Sequence, residues 1–239
     1  MTRLTDRDLD YLALLCRFPF MTAVQLQQWV HGQRDPDRLS PLYRRLRGLE
    51  ARELIVSDRV LQSAPRFVSA TREGMRAVGV TGRVVTAKFS QYRHDLAVVD
   101  LGHRVRTLRP DFTLVTEREM RSEDTANQHQ RADGTVWATV RAGADVRTRR
   151  QFPDLLQVAP SGQRVVHELE MTPKDVRRLR QIMRAYLLDE RVGAVRYWAA
   201  PAALARVESV AEETNAWARA EDVRRRVKVE PWTDEEAHR

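Results

Sequence analysis

The sequence predicts a mixed α+β or α/β protein in which a small helical domain with a β-hairpin precedes a larger domain built on a mixed sheet. Helical apolar spacing and one hairpin pattern occupy the first 79 residues, whereas strand and helix patterns alternate over residues 90–232. The short segment between them lacks sustained apolar periodicity. We therefore expect domains at residues 4–79 and 90–232, a linker at 80–89 and a frayed tail at 233–239.

Composition excludes several classes of protein. With 239 residues, of which 42% are hydrophobic, the chain is long and apolar enough to form real cores. It has no apolar run of about 18 residues that would span a bilayer, and its start, MTRLTDRDLD, is too polar for a secretory signal. The single cysteine, Cys16, lies among apolar residues and is expected to be a buried thiol. These features predict a cytoplasmic protein without a membrane partner.

The charge balance favours a polyanionic partner. Lysine and arginine together number 41 against 33 acidic residues, which gives a formal net charge of +8 and a pI of about 10.3. Nearly all of the cations are arginine, which binds phosphates and guanine edges well. Codon bias in a GC-rich genome would explain the excess of arginine over lysine equally well. It does not explain the net positive charge, which is typical of nucleic-acid binding.

Two short helices are predicted at the start of the chain. Thr5 is a suitable N-cap, with Asp8 three residues later as in a capping box. Thr22 is expected to cap the second helix, which ends at His31 and Gly32. The apolar positions are Leu9, Tyr11, Leu12 and Leu15 in the first helix and Val24, Leu26, Trp29 and Val30 in the second.

The third predicted helix is the most informative element. Ser40 and Pro41 form an N-cap and first-turn pair, and a leucine stripe follows at Leu42, Leu46 and Leu49. At about 100° per residue, the face opposite the stripe carries one long cation among small residues. That face consists of Pro41, Arg44, Gly48 and Ala51, with Arg38, Arg45 and Arg47 nearby. A solvated basic face on an ordinary amphipathic helix is the alternative interpretation.

A predicted hairpin and a further helix follow the third helix, and this order of elements bears on how its arginine face is interpreted. Leu54 to Val56 and Arg66 to Val68 are strand-like, a loop from 57 to 65 joins them, and Thr71 caps the next helix. This order suits a winged helix-turn-helix, in which the second of two helices enters the DNA major groove and the hairpin lies on the backbone. We expect Arg44 to read a base edge. The other predicted DNA-binding residues are Arg38, Ser40, Tyr43, Arg45, Arg47, Arg59 and Arg66.

The second domain is predicted to hold a mixed sheet. A helix begins near Ser90, a strand is expected in FTLVTEREM, and residues 122–150 form an exposed loop or hairpin insertion. The run FPDLLQVAPSGQRVVHELEM predicts two strands around a Pro-Ser-Gly turn. A long helix from Thr172 and Pro173 to Asp189, the strand AVRYWAA, a helix at 201–217 and the strand RVKVEPW complete the domain.

Acidic residues fall on neighbouring strands of that predicted sheet. Asp154 opens one strand, Glu168 and Glu170 share a face of the next, and Glu117 lies on the preceding strand. Converging carboxylates can hold Mg²⁺ or Mn²⁺ and activate water for phosphodiester cleavage, with Asp154, Glu168 and Glu117 as the candidate ligands. Alternatively, these acids cap strands or pair with arginines, and the fold serves binding or dimerisation.

The spacing Pro153-Asp154, hairpin, Glu168-Leu169-Glu170 resembles that of the PD-(D/E)xK nuclease superfamily. The resemblance implies Asp154, Glu168 and Glu170 as catalytic positions. Glu170 stands where the superfamily usually has lysine, a change that some of its restriction endonucleases share, and Lys174 could substitute for it.

Most of the chain, from about Leu4 to Trp232, resembles the replication-relaxation family of plasmids and mobile elements. The winged-helix pattern followed by HDLAVVDL, VTEREM, FPDLLQV and HELEMTPKDVRRLRQIMRAY carries this resemblance. It implies a double-stranded DNA-binding protein acting in replication, transfer or transcription, with no cofactor required for binding. Two alternatives stay open: a metal-dependent nuclease or nickase, and an accessory subunit that docks a relaxase or replication initiator. A homodimer is expected because DNA readers often bind two-fold sites.

Overall fold

The chain forms two compact units of mixed helix and sheet. The computed structural model describes residues 3–33, 35–59, 64–127, 136–141 and 149–233. The first unit extends to Arg104 and the second begins at Val105. Helices and a mixed sheet are both present, so the predicted α+β class is confirmed at that level. Within the described ranges, no helix combines the length and apolarity needed to cross a membrane.

The first unit alternates helices with a small sheet. Its elements are α1 (Asp6–Arg17), β1 (Met21–Thr22), α2 (Ala23–His31), a 3-10 turn (Pro36–Arg38), α3 (Leu39–Glu50), β2 (Ile55–Asp58), β3 (Phe67–Ala70), α4 (Arg72–Ala77) and most of α5 (Tyr92–Leu108). The strands are antiparallel in the order β1-β3-β2, with Met21 opposite Val68 and Ile55 opposite Ala70. The hairpin of β2 and β3 was predicted, whereas the two-residue strand β1 was not.

Polar side chains fix the starts of these helices. Thr5 and Asp8 form a reciprocal capping box on α1, with the Thr5 N–H donating to Asp8 Oδ2 at 2.9 Å. Thr22 caps α2 in the same way with Gln25, and Thr71 caps α4. The predicted N-cap at Ser40 is wrong. The 3-10 turn runs directly into α3, so the helix already begins at Leu39, and Ser40 is its second residue.

The boundary between the units lies within α5, later than the predicted linker at 80–89. The first part of α5 packs on the first unit through contacts that are distant in sequence. Trp29 donates its indole N–H to the Val99 carbonyl at 3.1 Å, and Tyr92 stacks on Phe20 with 5.5 Å between ring centroids. A Cβ on Gly102 would lie 3.1 Å from the Trp29 ring, so this helix approaches Trp29 closely.

The second unit contains a five-stranded mixed sheet in the order β10-β9-β8-β7-β4, with β8, β9 and β10 parallel and the other neighbours antiparallel. A separate ribbon pairs β5 with β6. The elements are β4 (Thr113–Thr116), α6 (Glu117–Ala126), β5 (Thr139–Arg141), β6 (Arg149–Gln151), β7 (Leu155–Val158), β8 (Arg164–Glu170), α7 (Val176–Leu188), β9 (Val192–Ala199), α8 (Pro201–Ala220) and β10 (Val227–Pro231).

Two element boundaries differ from the prediction. The strand expected through FTLVTEREM ends at Thr116, which caps α6, so Glu117 begins a helix and is not on a strand. The helix expected from Thr172 begins at Val176 because Asp175 is the residue that caps it. Parts of the predicted insertion, 128–135 and 142–148, and the tail from 234 lie outside the described residues.

A buried polar chain crosses the second unit on one side of its sheet. Trp198 donates to His167 Nδ1 at 3.1 Å, His167 Nε2 contacts Gln157 Oε1 at 3.0 Å, and Gln157 donates to the Val105 carbonyl at 3.0 Å. Burial, and then the charge of Arg196, lowers the pKa of His167 to about 3. The imidazole is therefore neutral near neutral pH, with its proton on Nε2.

Gly74 is required by a close backbone approach. A Cβ at this position would lie 2.0 Å from the Leu54 carbonyl oxygen, which also accepts the Thr71 N–H at 3.0 Å. We expect Gly74→Ala to lower the free energy of unfolding by about 2–3 kcal/mol because α4 must shift from the hairpin. Urea unfolding followed by circular dichroism would measure this.

Gly48→Ala is the matched control, because a Cβ there meets no heavy atom within 4 Å. This helix-interior substitution should raise stability by about 0.5–1 kcal/mol. Equal effects of the two substitutions would contradict the packing assigned to Gly74.

Candidate functional site

A basic concave surface lies between the first turn of α1 and the outward face of α3. This α1–α3 groove has a volume of about 730 Å³. Among the described residues, its lining includes a single carboxylate, that of Asp8, together with six arginines: Arg3, Arg7, Arg38, Arg44, Arg45 and Arg52. Such an excess of cations in a concave surface attracts anions.

The orientation of α3 agrees with the prediction from its leucine stripe. The stripe residues Leu42, Leu46 and Leu49 are buried. Arg44 is exposed near the middle of the opposite face, between Ser40 and Arg47 on one side and Pro41 and Gly48 on the other. Tyr43, on the flank, is 47% exposed. Among the described residues, Arg44 and Arg47 have no ion-pair partner.

Arg45 is held inside the groove by the cap of α1. Its guanidinium lies 2.7 Å from Asp8 Oδ1 and donates to the Thr5 hydroxyl at 2.8 Å. Burial acts to raise the pKa of Asp8, but the hydrogen bonds from Thr5 and Arg45 outweigh it and hold that pKa below its usual value. Arg45 therefore joins α3 to α1, a role additional to the DNA contact that was predicted for it.

The pKa of His31 responds to the positive charges that line the groove. Its Nδ1 lies 3.5 Å from Arg38, which also pairs with Asp35 at 3.0 Å. Burial, and then the charges of Arg38 and Arg7, lower the pKa of His31 below its usual value. An anion that neutralised these arginines would raise it again.

Two of the predicted DNA-binding arginines flank the hairpin tip. Asp58 pairs with Phe67, so Arg59, directly after β2, and Arg66, directly before β3, lie at the same end of the hairpin. Both are exposed. The loop residues 60–63 between them lie outside the described ranges.

The second unit contains an acidic centre formed by Asp154, Glu168 and Glu170. Leu155 pairs with His167, which puts Asp154 beside Glu168, and Asp154 Oδ2 accepts the Leu169 N–H at 2.7 Å. Glu168 and Glu170 share one face of β8 and are only 4% and 2% exposed. The predicted convergence of these three residues on adjacent strands is therefore present.

The carboxylates of this centre have donors from the protein. Tyr186 donates its hydroxyl to Glu168 Oε1 at 2.5 Å, and Lys174 Nζ lies 2.7 Å from Glu170 Oε1. Burial, and then the charge of Asp154, hold the pKa of Glu168 well above its usual value. Burial acts to lower the pKa of Lys174, but the charges of Glu168 and Glu170 outweigh it and raise that pKa.

The centre does not fit a resident Mg²⁺ or Mn²⁺. Glu117, a predicted metal ligand, begins α6 and pairs with Arg121 at 2.6 Å, although its N–H contacts the Asp154 carbonyl at 3.2 Å. Lys174 brings a positive charge to Glu170. With Lys174 in this position, no three His, Cys, Asp or Glu side chains in the part of the chain that the structure describes are placed so that they could hold a metal.

Two partners in these sites could not be found from the sequence. Asp8 was assigned only to a helix cap, and Tyr186 lay in a predicted helix without a role of its own. Each acquires its role from a contact between distant positions, Asp8 with Arg45 and Tyr186 with Glu168, for which a single sequence contains no signal.

No family model, curated protein or solved structure matches the chain. The resemblance to the replication-relaxation family therefore stays a prediction.

The link between Asp8 and Arg45 should make stability depend on pH. Because the folded pKa of Asp8 is lowered, its contribution is present above the unfolded value of about 3.9 and is lost as pH falls through the folded pKa. We expect Asp8→Asn to lower the free energy of unfolding by about 1–2 kcal/mol at pH 7. The difference from wild type should shrink below about pH 4. Urea unfolding over a pH series would measure it.

Asp10→Asn is the control, since Asp10 is an exposed acid on the same helix. It should leave the unfolding curve at neutral pH unchanged. A deficit for Asp8→Asn that stays constant down to pH 2 would refute the role assigned to the charge.

Proposed function

We propose that this chain is a sequence-specific double-stranded DNA-binding protein whose first unit is a winged helix-turn-helix. Three features support the fold. A short strand lies between α1 and α2, α3 follows α2 after a connection that ends in the 3-10 turn Pro36–Arg38, and the hairpin of β2 and β3 pairs with that short strand. In such domains, the helix in the position of α3 enters the major groove.

One observation carries the proposal: the arginine face of α3 points out of the protein and borders a groove with six arginines and one carboxylate. The carboxylate belongs to Asp8, which is already paired with Arg45. The groove thus retains uncompensated positive charge beside an exposed helix face, as phosphate binding requires.

Gly48 supports the same conclusion. Glycine within a helix costs about 0.5–1 kcal/mol relative to alanine. Apart from its own helix, no described residue comes within 4 Å of a Cβ at Gly48, so packing does not require glycine there. A smooth helix surface beside Arg44 would let the α3 backbone approach a base edge closely.

The arginines then divide into different roles. Arg44 is suited to read a base edge, for example a guanine through its planar fork. Arg38, Arg47, Arg59 and Arg66 would bind phosphates and fix the register without reading sequence. Arg45 positions α3 through Asp8, while Ser40 and Tyr43 flank the reading face.

The second unit supports a nuclease-like interpretation of its fold. Three antiparallel neighbours, β4, β7 and β8, are followed through α7 by the parallel strand β9, and the acidic centre lies on β7 and β8. We infer a PD-(D/E)xK-like fold that does not require a metal.

Cleavage stays an alternative, to be tested by incubating supercoiled plasmid with Mg²⁺ or Mn²⁺. If the wild type nicks the plasmid and Asp154→Ala abolishes the nicking, the protein is a nuclease and the binding proposal is replaced.

The biological setting follows from the resemblance alone. We propose control of replication, transfer or transcription of a plasmid or other mobile element. Homodimerisation and docking to a relaxase or replication protein stay predictions.

The test uses a labelled duplex that the wild type selects from a random pool. Arg44→Ala should weaken binding to this duplex by about 1–3 kcal/mol and should relax the sequence preference. Arg47→Ala should instead weaken binding to all sequences and lower the slope of affinity against salt by about one. Fluorescence anisotropy over a salt series would separate the two effects.

Arg72→Ala provides the matched control because Arg72 is exposed on α4 and does not line the groove. Its affinity should equal that of the wild type. If Arg44→Ala binds the selected duplex as tightly as the control variant, the assignment of Arg44 to base reading is wrong.

DNA binding should tighten as pH falls from about 8 to about 5.5. In the complex, phosphates neutralise Arg38 and Arg7, so the lowered pKa of His31 rises and binding takes up a proton. His31→Gln should flatten this dependence. NMR titration of the imidazole with and without duplex would show the pKa rise directly.

His94→Gln, in α5 outside the groove lining, should keep the wild-type pH dependence. An unchanged pKa of His31 in saturating duplex would mean that DNA does not enter the groove.

A further inference from the structure

The acidic centre of the second unit needs compensation of its negative charge. The charges of Asp154 and Glu170 both act on Glu168 there, and the residues Glu168 and Glu170 are at most 4% exposed. Buried carboxylates in proximity are costly unless a positive charge or proton compensates them. Tyr186 supplies a hydrogen bond to Glu168 but no charge.

Lys174 supplies that charge from a fixed position. Its Nζ lies 2.7 Å from Glu170 Oε1, and its charge also acts on Glu168 and Asp154. The backbone beneath it is held on both sides: the Lys174 carbonyl accepts from Arg206 at 3.2 Å, and Asp175 caps α7 through the Arg178 N–H at 2.8 Å. The ammonium group is therefore held beside the carboxylates by the start of α7.

We propose that the ammonium group of Lys174 is the resident cation of the acidic centre, taking the place of a divalent ion, so that the second unit keeps its fold without a metal. Tyr197 provides an independent observation. It pairs with Glu168 across β8 and β9, and its fully buried hydroxyl has no hydrogen-bond partner within the described residues. A polar oxygen thus remains beside the carboxylates, and a metal that replaced the ammonium could use it or a water bound to it.

Removing Lys174 should convert the centre into a divalent-cation site. The carboxylates of Asp154, Glu168 and Glu170 would then have no fixed positive charge close to them. A cation with oxygen preference, such as Ca²⁺, Mn²⁺ or Tb³⁺, would restore the balance.

Terbium luminescence provides the first test, because Tyr186 and Tyr197 beside the centre can sensitise bound Tb³⁺. Lys174→Met should bind Tb³⁺ at least about tenfold more tightly than the wild type, since one like charge has left the site. Lys88→Met removes the same charge from an exposed position and should bind as the wild type does. Asp154→Asn combined with Lys174→Met should lose the added signal.

Thermal unfolding of the full chain provides the second test. In EDTA, Lys174→Met should unfold at a lower temperature than the wild type and should recover when Ca²⁺ or Mn²⁺ is added. The double variant Glu170→Gln, Lys174→Met removes a cation together with an anion, so it should be stable in EDTA without added metal. If the single variant does not fold in EDTA, recovery by the double variant still supports the proposal.

Two outcomes would overturn the proposal. One is wild-type protein that binds Tb³⁺ at this centre as tightly as Lys174→Met does. The other is a double variant as unstable in EDTA as the single variant, which would give Lys174 a packing role and no charge-balancing one.

Discussion

Burial of the leucine stripe on α3 is the constraint on which the first unit depends. Leu42, Leu46 and Leu49 are each at most 4% exposed, and each contributes on the order of 1.5–3 kcal/mol when removed from water. Because these leucines recur at helical spacing, their burial turns the opposite face of α3, around Arg44, toward solvent. The link from Arg45 to Asp8 then fixes how α3 lies against α1. The basic groove is thus a consequence of packing as well as of arginine content.

The two units differ in how their clusters of like charge are compensated. Among the described residues, the groove of the first unit gathers six arginines around one carboxylate, so its lining carries surplus positive charge that an anionic ligand would neutralise. The acidic centre of the second unit has partners within the chain: the hydroxyl of Tyr186 donates to Glu168, and the ammonium of Lys174 pairs with Glu170. An exposed surplus favours a charged partner, whereas an internally compensated cluster favours a structural role. This contrast is why binding by the first unit is proposed in preference to cleavage by the second.

Local features of this fold could be predicted from the sequence because their causes are local. Thr5, Thr22 and Thr71 cap helices within three residues of their partners, and the Pro-Ser-Gly turn joins β7 to β8 as expected. Glu53, between α3 and β2, adopts a left-handed backbone with φ 57°. The convergence of Asp154 with Glu168 followed from strand order. The boundary within α5 could not be predicted, because the contact of Trp29 with Val99 joins positions 70 residues apart.

The pairing of arginines also bears on the choice between codon bias and function. Bias alone would scatter arginine over the surface, where neighbouring acids could pair with it. Several arginines of the second unit follow that pattern: Arg121 pairs with Glu117, Arg180 with Glu213, Arg191 with Asp189 and Arg196 with Glu230. In the α1–α3 groove, by contrast, Arg7, Arg44 and Arg52 have no ion-pair partner among the described residues. Codon usage explains why the cation is arginine, but it does not explain why unpaired arginines gather beside the exposed face of one helix.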